Sequence, residues 1–275
     1  MPELPETETI ARDLDREIRG RTITEVVVRR ADVLREVDPA MLAGRVAGAT
    51  IERCWRRAKL VVLDLDSRDR LVVQPRFTGA LLLSRGPLPD AEAPYSTLHF
   101  TLDDGRDLHY RDIRRLGTVA LMAPARFDAY STALGIEPLD PGFSVEHLSV
   151  LLRGSGQAIK KVLMDQRVLV GIGNIYANEA CWRAGVDPSR SARAIAAEDV
   201  VRLHEAITSV LTDSIAARGT SFRDYRDVSG GRGDFERSLA VYGRGGEPCL
   251  RCGARLVETH AIDGRTTVLC AGCQR

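Results

Sequence analysis

The sequence predicts an α+β fold, in which an N-terminal β-sandwich with a flanking helix precedes a helical domain and a C-terminal zinc-finger β-hairpin. Three observations predict this class: short β-rich runs between Thr22 and about Leu121, a helical period after GIEPLDPG, and four cysteines near the C-terminus. The 275 residues, 44% of them hydrophobic, suffice for two compact domains or for one large domain with an appendage. The expected segments are 1–125, 135–228 and 240–275.

The N-terminal segment is expected to contain one amphipathic helix and many short strands. In ETETIARDLDREIRG, the apolar residues Ile10, Leu14 and Ile18 recur at every fourth position between charged residues. Runs such as TITEVVVRR, LVVLDLD and LVVQPRF are typical of strands, and TLHFTLDDGRDLHYRD has a hairpin signal at Asp104-Gly105. This spacing favours a β-sandwich with the first helix lying against it.

Four helices are expected next, in SVEHLSVLLRG, AIKKVLMDQ, NIYANEACWRAG and AEDVVRLHEAITSVLTDSIAARG. The polar, glycine-rich stretch TSFRDYRDVSGGRGDFERS that follows them is predicted to be a mobile loop. Before the third helix, a turn with Gly171 and Gly173 leads to Asn174, which we interpret as the helix N-cap. Helix N-termini bind phosphate, although a packing joint that needs glycine for a tight turn explains the same spacing more simply.

Two CxxC pairs near the C-terminus have the spacing of a four-thiolate zinc site. The pairs, separated by residues 253–269, are Cys249 with Cys252 and Cys270 with Cys273. Disulfides are disfavoured in a reducing compartment, and four cysteine ligands leave no open position, so we expect one structural zinc ion. The Asp263-Gly264 pair predicts a two-residue hairpin turn with Arg265 at its tip.

Charge and hydropathy exclude few functions by themselves. The net charge is only +1, although residues 218–275 carry 10 basic and 7 acidic side chains. No apolar run is long enough for a membrane span, and the acidic N-terminus lacks a signal-peptide pattern, so a cytoplasmic protein is expected. All basic residues are arginine except Lys59, Lys160 and Lys161, and the five histidines form no zinc-hydrolase motif.

Several quoted stretches, taken in order, carry a resemblance that covers essentially the whole chain. With PELPETET, RRAKLVVLDL, YRDIRRLG, LMDQRVLVGIGNIYANEACWRAGVDP and VYGRGGEPC, the sequence resembles the formamidopyrimidine-DNA glycosylase and endonuclease VIII family of base-excision repair enzymes. The resemblance implies a β-sandwich, a helix–two-turn–helix domain and a zinc finger. It also implies a bacterial, monomeric enzyme in the cytoplasm that acts on duplex DNA with a damaged base or an abasic site.

The resemblance assigns the chemistry to four residues. If Met1 is removed, Pro2 exposes a secondary amine, and because α-amino groups titrate near pH ~8, a useful fraction is neutral. Such an amine can attack C1′ of a damaged nucleotide, expel the base and form a Schiff base, with Glu3 transferring protons. Lys59 aligns with the lysine assigned to phosphate binding and β-elimination, and Arg265 with the finger arginine linked to δ-elimination. Glu6 is expected to hold the helix N-terminus.

The family pattern also assigns residues that contact DNA. Arg114 is expected opposite the orphaned base and Arg115 near a phosphate, while Leu116 replaces the usual aromatic wedge. In QPRFTG, where the family more often has HLGMTG, Gln74 replaces the histidine and Phe77 the methionine that fills the void. The full set of expected DNA-binding residues is Phe77, Arg114, Arg115, Leu116, Lys160, Asn174 and Tyr242.

Four functions are compared. The opening PELPE and the loop GTSFRDYRDVSGGRGDF favour a bifunctional glycosylase and AP lyase for oxidised purines such as 8-oxoguanine and formamidopyrimidines. An endonuclease VIII-like enzyme for oxidised pyrimidines would more typically begin Pro-Glu-Gly-Pro. However, Gln74, Phe77 and Leu116 leave the preferred lesion and the preferred opposite base open. Whether δ-elimination follows β-elimination is open as well. A non-catalytic DNA-binding homologue predicts loss of Pro2 or Glu3, which are both present. A zinc hydrolase requires an open metal site.

Overall fold

The structure, a computed structural model, describes residues 2–221 and 224–275 and consists of two compact units. One unit contains the chain up to Thr132 together with Ala217–Glu236, and the other contains Ala133–Ala216 together with Arg237–Arg275. The helices expected in 135–228 therefore share a unit with the C-terminal hairpin, whereas the end of that segment belongs with the N-terminal strands. Removal of Met1 and the role of positions 222 and 223 in the loop lie outside the described residues.

In its described residues, the first unit is a two-sheet sandwich with three α-helices. Its helices are α1 (Leu4–Ile18), α2 (Pro39–Val46) and α3 (Pro124–Thr132). Its strands are β1 (Ile23–Val28), β2 (Leu34–Arg35), β3 (Ile51–Arg57), β4 (Leu60–Leu65), β5 (Arg70–Gln74), β6 (Gly79–Arg85), β7 (Ser96–Leu102), β8 (Arg106–Asp112) and β9 (Thr118–Met122). One sheet has the order β1-β7-β8-β6 and the other β2-β9-β5-β4-β3, with antiparallel pairing except between β2 and β9. The predicted sandwich and the Asp104-Gly105 hairpin are confirmed.

One apolar core joins the two sheets and α1. Phe100 and Leu108 of one sheet and Leu63 and Leu71 of the other belong to the same buried cluster. The apolar stripe predicted on the first helix, formed by Ile10, Leu14 and Ile18, lies in this cluster and has no exposed surface. Each such side chain contributes about 1.5–3 kcal/mol of burial free energy, so the helix is held by its apolar face.

Helix α1 runs antiparallel to β3. The carboxylate of Asp15 accepts a hydrogen bond from Cys54 N (2.8 Å), and Glu8, about two turns nearer the N-terminus, pairs with Arg56 (2.7 Å). Successive residues toward the start of α1 therefore lie beside successive residues toward the end of β3. This direction brings the N-terminal end of α1 alongside the turn that follows β3.

The second unit is helical and ends in a small hairpin. Its elements are α4 (Val145–Arg153), α5 (Ile159–Met164), α6 (Asn174–Ala184), α7 (Ala197–Ala216), β10 (Val257–Thr259) and β11 (Thr267–Leu269). Helix α6 packs against α7, α5 and β11. The four predicted helices are confirmed. Helices α2 and α3 were not expected from the β-rich pattern, although α2 has a sequence signal, since Asp38 caps Met41 N (2.8 Å) and Pro39 follows it.

The predicted two-residue hairpin is wrong in length. Strand pairing stops at Thr259 and Thr267, so residues 260–266 form the connection between β10 and β11. Within it, Asp263 (φ 56°) and Gly264 (φ 64°) form a tight turn, which is closed by a hydrogen bond from Arg265 N to Ile262 O (3.1 Å). The Asp-Gly pair therefore sets a type I′ geometry, but the strands do not extend to it.

The segment Ala217–Glu236 is held to the sandwich by several contacts. Tyr225 and Val228 are buried in the main core, and Val228 O accepts from Leu83 N (2.9 Å). Arg218 forms ion pairs with Asp13 and Asp227. Both flanks of the expected loop are therefore anchored. Among the described helices of the protein, none is long and apolar enough to cross a membrane.

Candidate active site and nucleic-acid interface

The chain's N-terminal residues are fixed by one buried carboxylate. Pro2 is buried, and Glu3 is the N-cap of α1 with 2% of its surface exposed. Glu6, only 1% exposed, accepts from Glu3 N through Oε2 (2.8 Å) and from Thr220 N through Oε1 (2.7 Å). The role expected of Glu6 at the helix N-terminus is confirmed, and the same side chain also holds the start of segment Ala217–Glu236. Gly219 is needed there, since a Cβ would lie 3.0 Å from Glu6 Cγ.

Lys59 lies in the two-residue turn between β3 and β4, because Arg57 pairs with Leu60. The preceding Ala58 has left-handed backbone geometry (φ 53°) and is 4% exposed, and Arg56 donates to its carbonyl (3.0 Å). The antiparallel course of α1 and β3 brings this turn to the end of α1 that carries Pro2 and Glu3. Two predicted catalytic regions, distant in sequence, are thus placed at one end of the sandwich.

Two loops, residues 75–78 and 113–117, connect the two sheets side by side, and we call them the crossover tip. The first loop leads from β5 to β6, and the second leads from β8 to β9. The loops are neighbours because β5 pairs with β9 and β6 pairs with β8. Phe77 (44% exposed) and Leu116 (39% exposed) present apolar surface there. The guanidinium of Arg114 lies 5.2 Å from the centroid of the Phe77 ring. The tip therefore combines exposed apolar groups with positive charge.

Asp112, 1% exposed, organises the crossover tip. Its Oδ1 accepts from Arg114 N (3.2 Å) and from the Thr78 hydroxyl, and its Oδ2 accepts from Gly117 N (2.8 Å) and from the Tyr110 hydroxyl (3.3 Å). Burial and the neighbouring carboxylate raise the pKa of Tyr110, so its hydroxyl stays protonated as a donor. One carboxylate therefore links both loops of the tip.

Two arginines of the tip have backbone angles that favour glycine. Arg76 has φ 52° and Arg115 has φ 49°, a region that costs roughly 1–2 kcal/mol for a residue with a Cβ. Arg115 pairs with Asp32 (2.7 Å), and both side chains are about half exposed. Such an exposed ion pair contributes little stability. An anion that approaches Arg115 therefore replaces Asp32 as its partner at small cost.

Lys160, which the family pattern assigns to DNA, is engaged inside the protein in this structure. The side chain has no exposed surface, and its ammonium donates to Thr266 O (2.8 Å) and to Thr267 Oγ1 (2.8 Å). The same carbonyl also accepts from Asn174 Nδ2 (3.0 Å). Buried ammonium groups require such partners, so Lys160 holds the start of β11, directly after Arg265, instead of meeting solvent.

Asn174 is also not the helix N-cap that the sequence suggested. Gly173 occupies the N-cap position of α6, and Asn174 is the first helical residue. Its amide bonds across to the hairpin, as does that of Asn178, whose Oδ1 accepts from Val268 N (2.9 Å). The turn before α6 therefore serves as a packing joint for the hairpin as well as a helix N-terminus.

Arg265 lies in the connection between β10 and β11 and is about half exposed. Asp263 lies between it and Lys161, with its carboxylate oxygens 3.7 Å from Arg265 Nε and 3.4 Å from Lys161 Nζ. Two cations thus share a single carboxylate at an exposed turn. Because one negative charge cannot neutralise both, the turn keeps a net positive charge.

Tyr242 precedes the cysteine hairpin and is half-buried. Glu179 of α6, 3% exposed, accepts three backbone hydrogen bonds, from Ala240 N (2.9 Å), Val241 N (2.9 Å) and Tyr242 N (2.8 Å). Burial raises the pKa of Glu179, although the three N–H donors oppose this shift. The position of Tyr242 is therefore fixed by a buried carboxylate.

The four cysteines form the expected cluster. The ligand atoms of Cys249, Cys252, Cys270 and Cys273 all lie within 4.8 Å of one another, and all four are free of disulfides. Two Sγ–Sγ distances are 4.0 Å and 3.4 Å, while tetrahedral zinc with bonds of about 2.3 Å separates its sulfurs by about 3.8 Å. Burial opposes ionisation, but hydrogen bonds from the Trp182 indole and from backbone N–H groups lower the pKa of Cys249 to about 6. The set fits a metal that binds thiolates.

Family models match most of the chain. The formamidopyrimidine-DNA glycosylase N-terminal domain matches residues 1–119, and the H2TH domain of the same enzymes matches residues 134–226. Sandwich, helical unit and cysteine hairpin together define a DNA-repair glycosylase. Formamidopyrimidine-DNA glycosylases are 40% identical over 277 residues in Desulfitobacterium hafniense, covering all of both chains, and 43% identical over 258 residues in Moorella thermoacetica, covering 93% of each. The chain therefore belongs to the formamidopyrimidine-DNA glycosylase family.

Solved structures agree with this assignment. Lactococcus lactis Fpg, in complex with abasic-site DNA, has a TM-score of 0.92 and 29% identity, with 99% of each chain covered. The MutM (Fpg) protein of Thermus thermophilus has a TM-score of 0.87 and 33% identity, covering 99% of this chain and 98% of its own.

Three residues that organise the site were not identified from the sequence: Asp112, Asn178 and Glu179. All three are buried and bond to backbone N–H groups or tip residues. Each lies inside a stretch that carried the family resemblance, YRDIRRLG or NIYANEACWRAG. A polar residue at an otherwise apolar helical or strand position was the available signal. Its partners, however, are far away in the sequence.

Proposed function

We propose that this chain is a bifunctional DNA glycosylase and AP lyase that removes oxidised purines from duplex DNA. The secondary amine of Pro2 attacks C1′ of the damaged nucleotide, the bond from C1′ to the base breaks, and the base leaves with a proton. The nitrogen lone pair then expels O4′ from C1′, O4′ takes a proton from Glu3 as the sugar ring opens, and the C1′ iminium that results is the Schiff base. It makes the C2′ proton acidic, so the 3′ phosphate leaves by β-elimination and the strand is cut.

The observation that supports this proposal best is the fixed N-terminus. Burial keeps Pro2 in a defined position, and the bond between Glu3 N and Glu6 sets the direction in which the chain begins. Glu3 is then placed to transfer protons to and from the sugar or the base. Lys59, at the same end of the sandwich, supplies a compact cation for a phosphate or a proton for the leaving group.

The proposal assigns DNA binding to the crossover tip and to the hairpin turn. Phe77 and Leu116 fill the space that the extruded nucleotide leaves, and Arg114 faces the orphaned base. Arg115 and Arg265 contact phosphates, because each is exposed and shares or readily exchanges its carboxylate partner. We further propose that the enzyme acts as a monomer in the bacterial cytoplasm and that Tyr242 and Asn174 border the bound strand.

We also propose that the cysteine cluster holds one structural zinc ion. Four thiolates complete a tetrahedral shell, so the ion has no position for water or substrate and takes no part in the chemistry. Its contribution is to hold the hairpin in which Arg265 lies, since β10 and β11 are only three residues long each.

Borohydride trapping tests the function. Purified protein, shown by intact mass to begin at Pro2, is mixed with duplexes that contain 8-oxoguanine, an oxidised pyrimidine or an abasic site. We expect a covalent adduct with 8-oxoguanine DNA that maps to the N-terminal peptide. A Pro2→Gly variant should lose it, and a Lys59→Met variant should keep the adduct on the same peptide.

Each other outcome has a defined meaning. An adduct with oxidised pyrimidine alone would replace the proposal with an endonuclease VIII-like specificity, which the substitutions at Gln74, Phe77 and Leu116 keep open. Trapping with the abasic site alone would leave the lyase and remove the glycosylase. Without an adduct on any duplex, the chain would be a DNA-binding protein and not an enzyme.

A further inference from the structure

Arg76 is a positively charged residue of the crossover tip to which no function has yet been assigned. It is exposed, and its left-handed backbone (φ 52°) is one that glycine adopts more readily. Backbone strain of this kind clusters at ligand-binding sites, and Arg76 lies on the tip that the proposed function places against DNA.

The guanidinium of Arg76 is oriented but not neutralised. Its Nε donates to Gln74 Oε1 (3.2 Å), and Gln74 is the last residue of β5. Arg115 is paired with Asp32, and Arg114 lies over the Phe77 ring. Within residues 2–221 and 224–275, no carboxylate pairs with Arg76. Its two terminal amino groups therefore keep their full capacity to bind an anion in a planar, two-pronged geometry.

We propose that Arg76 binds a backbone phosphate of duplex DNA when the crossover tip enters the base stack. The inference rests on the proposed function, since it needs DNA at the tip. Phe77, Ile113 and Leu116 are exposed apolar side chains of the tip, whereas the bond to Gln74 holds the Arg76 guanidinium beside the end of a strand. A cation held there meets the sugar–phosphate backbone, while its neighbour Phe77 enters the stack.

The chain offers a matched control in Arg68. This residue is also an exposed arginine with a left-handed backbone (φ 69°), and it lies in the turn between β4 and β5, at the other end of β5 from the tip. Arg68→Gly and Arg76→Gly thus remove the same charge and relieve the same kind of strain. We expect both variants to shift Tm by a similar small amount.

The measurement is the affinity for a duplex with a non-cleavable abasic analogue, determined by fluorescence anisotropy from 50 to 300 mM KCl. For Arg76→Gly we expect a Kd about 10-fold higher near 150 mM salt, and a slope of log K against log salt smaller by about 0.9, the value for one phosphate contact. Arg68→Gly should match the wild type. Arg76→Gln, which keeps the strain but not the charge, should match Arg76→Gly.

The results separate this inference from the proposed function. If the wild type binds and cuts damaged DNA while Arg76→Gly keeps the wild-type slope, the inference is wrong and the function stands. An unchanged slope with an altered preference for the base opposite the lesion would overturn the phosphate contact in favour of base reading. If the wild type does not bind the duplex at all, it is the proposed function that fails.

Discussion

Replacing Lys160 by methionine tests whether its ammonium positions the hairpin or reaches DNA. The side chain is wholly buried, with two hydrogen bonds of 2.8 Å to Thr266 O and Thr267 Oγ1. Bonds to a charged group contribute about 1.5–3 kcal/mol each, but removing the ammonium also removes the cost of burying it. Thr266 O keeps Asn174 as a donor, and the Thr267 hydroxyl keeps its own donation to Arg265 O (3.3 Å), so neither oxygen is left without a hydrogen bond. We expect a net loss of about 1–3 kcal/mol in the free energy of unfolding.

The assay combines thermal unfolding with DNA titration. A loss of this size lowers Tm by roughly 2–5 °C in a chain of this length. A buried ammonium neutralises no phosphate, so the slope of log K against log salt should stay at its wild-type value. The overall affinity should fall, because Arg265 is displaced when the start of β11 loosens. Lys161→Met is the control for Tm, since Lys161 is half exposed and its single pair with Asp263 (3.4 Å) is of the weak surface kind.

One result would refute this reasoning. If Lys160→Met keeps its Tm and loses about 0.9 in the salt slope, the ammonium contacts a phosphate and the buried position does not describe the bound enzyme.

Three further perturbations follow from buried groups. Asp112→Asn places an amide donor against Gly117 N–H or the Thr78 hydroxyl. We therefore expect the free energy of unfolding, measured in urea, to fall by about 2–4 kcal/mol and DNA binding to weaken. Unchanged values would contradict the organising role of Asp112. Burial lowers the pKa of His109, so the stability that the neutral imidazole contributes above about pH 6.5 should be lost as pH falls below that value, and His109→Phe should flatten the dependence of Tm on pH there. Treatment with a chelator should release one zinc ion per chain and change the fluorescence of Trp182, whose indole donates to Cys249. Cys270→Ser should lose the zinc and change the fluorescence without a chelator. Metal-free protein with an unchanged spectrum would argue against a structural ion.

Local sequence patterns predicted most of the fold. The stripe of Ile10, Leu14 and Ile18 identified α1, because helical periodicity is a property of neighbouring residues. The cysteine spacing identified the cluster for a similar reason. Helix α2 was missed because a single short helix inside a β-rich region gives little periodic signal, although Asp38 and Pro39 mark its start.

The sequence named candidate site residues, and their roles stay predictions. Sequence motifs named Pro2, Glu3 and Lys59, and the structure brings their elements to one end of the sandwich through the antiparallel course of α1 and β3. The same motifs assigned Lys160 to DNA by position alone. Such an assignment cannot tell whether a long side chain points to solvent or inward, because that depends on what packs over it.

The sequence by itself determined most of the elements, the cysteine cluster and the family, since each depends on residue types at short, regular spacings. Only the tertiary structure decided where the polar side chains act. Lys160 meets Thr266 across 106 positions, Glu6 meets Thr220 across 214, and Asp112 joins two loops. A buried charge must find partners at hydrogen-bond distance, and those partners become neighbours only when the chain has folded.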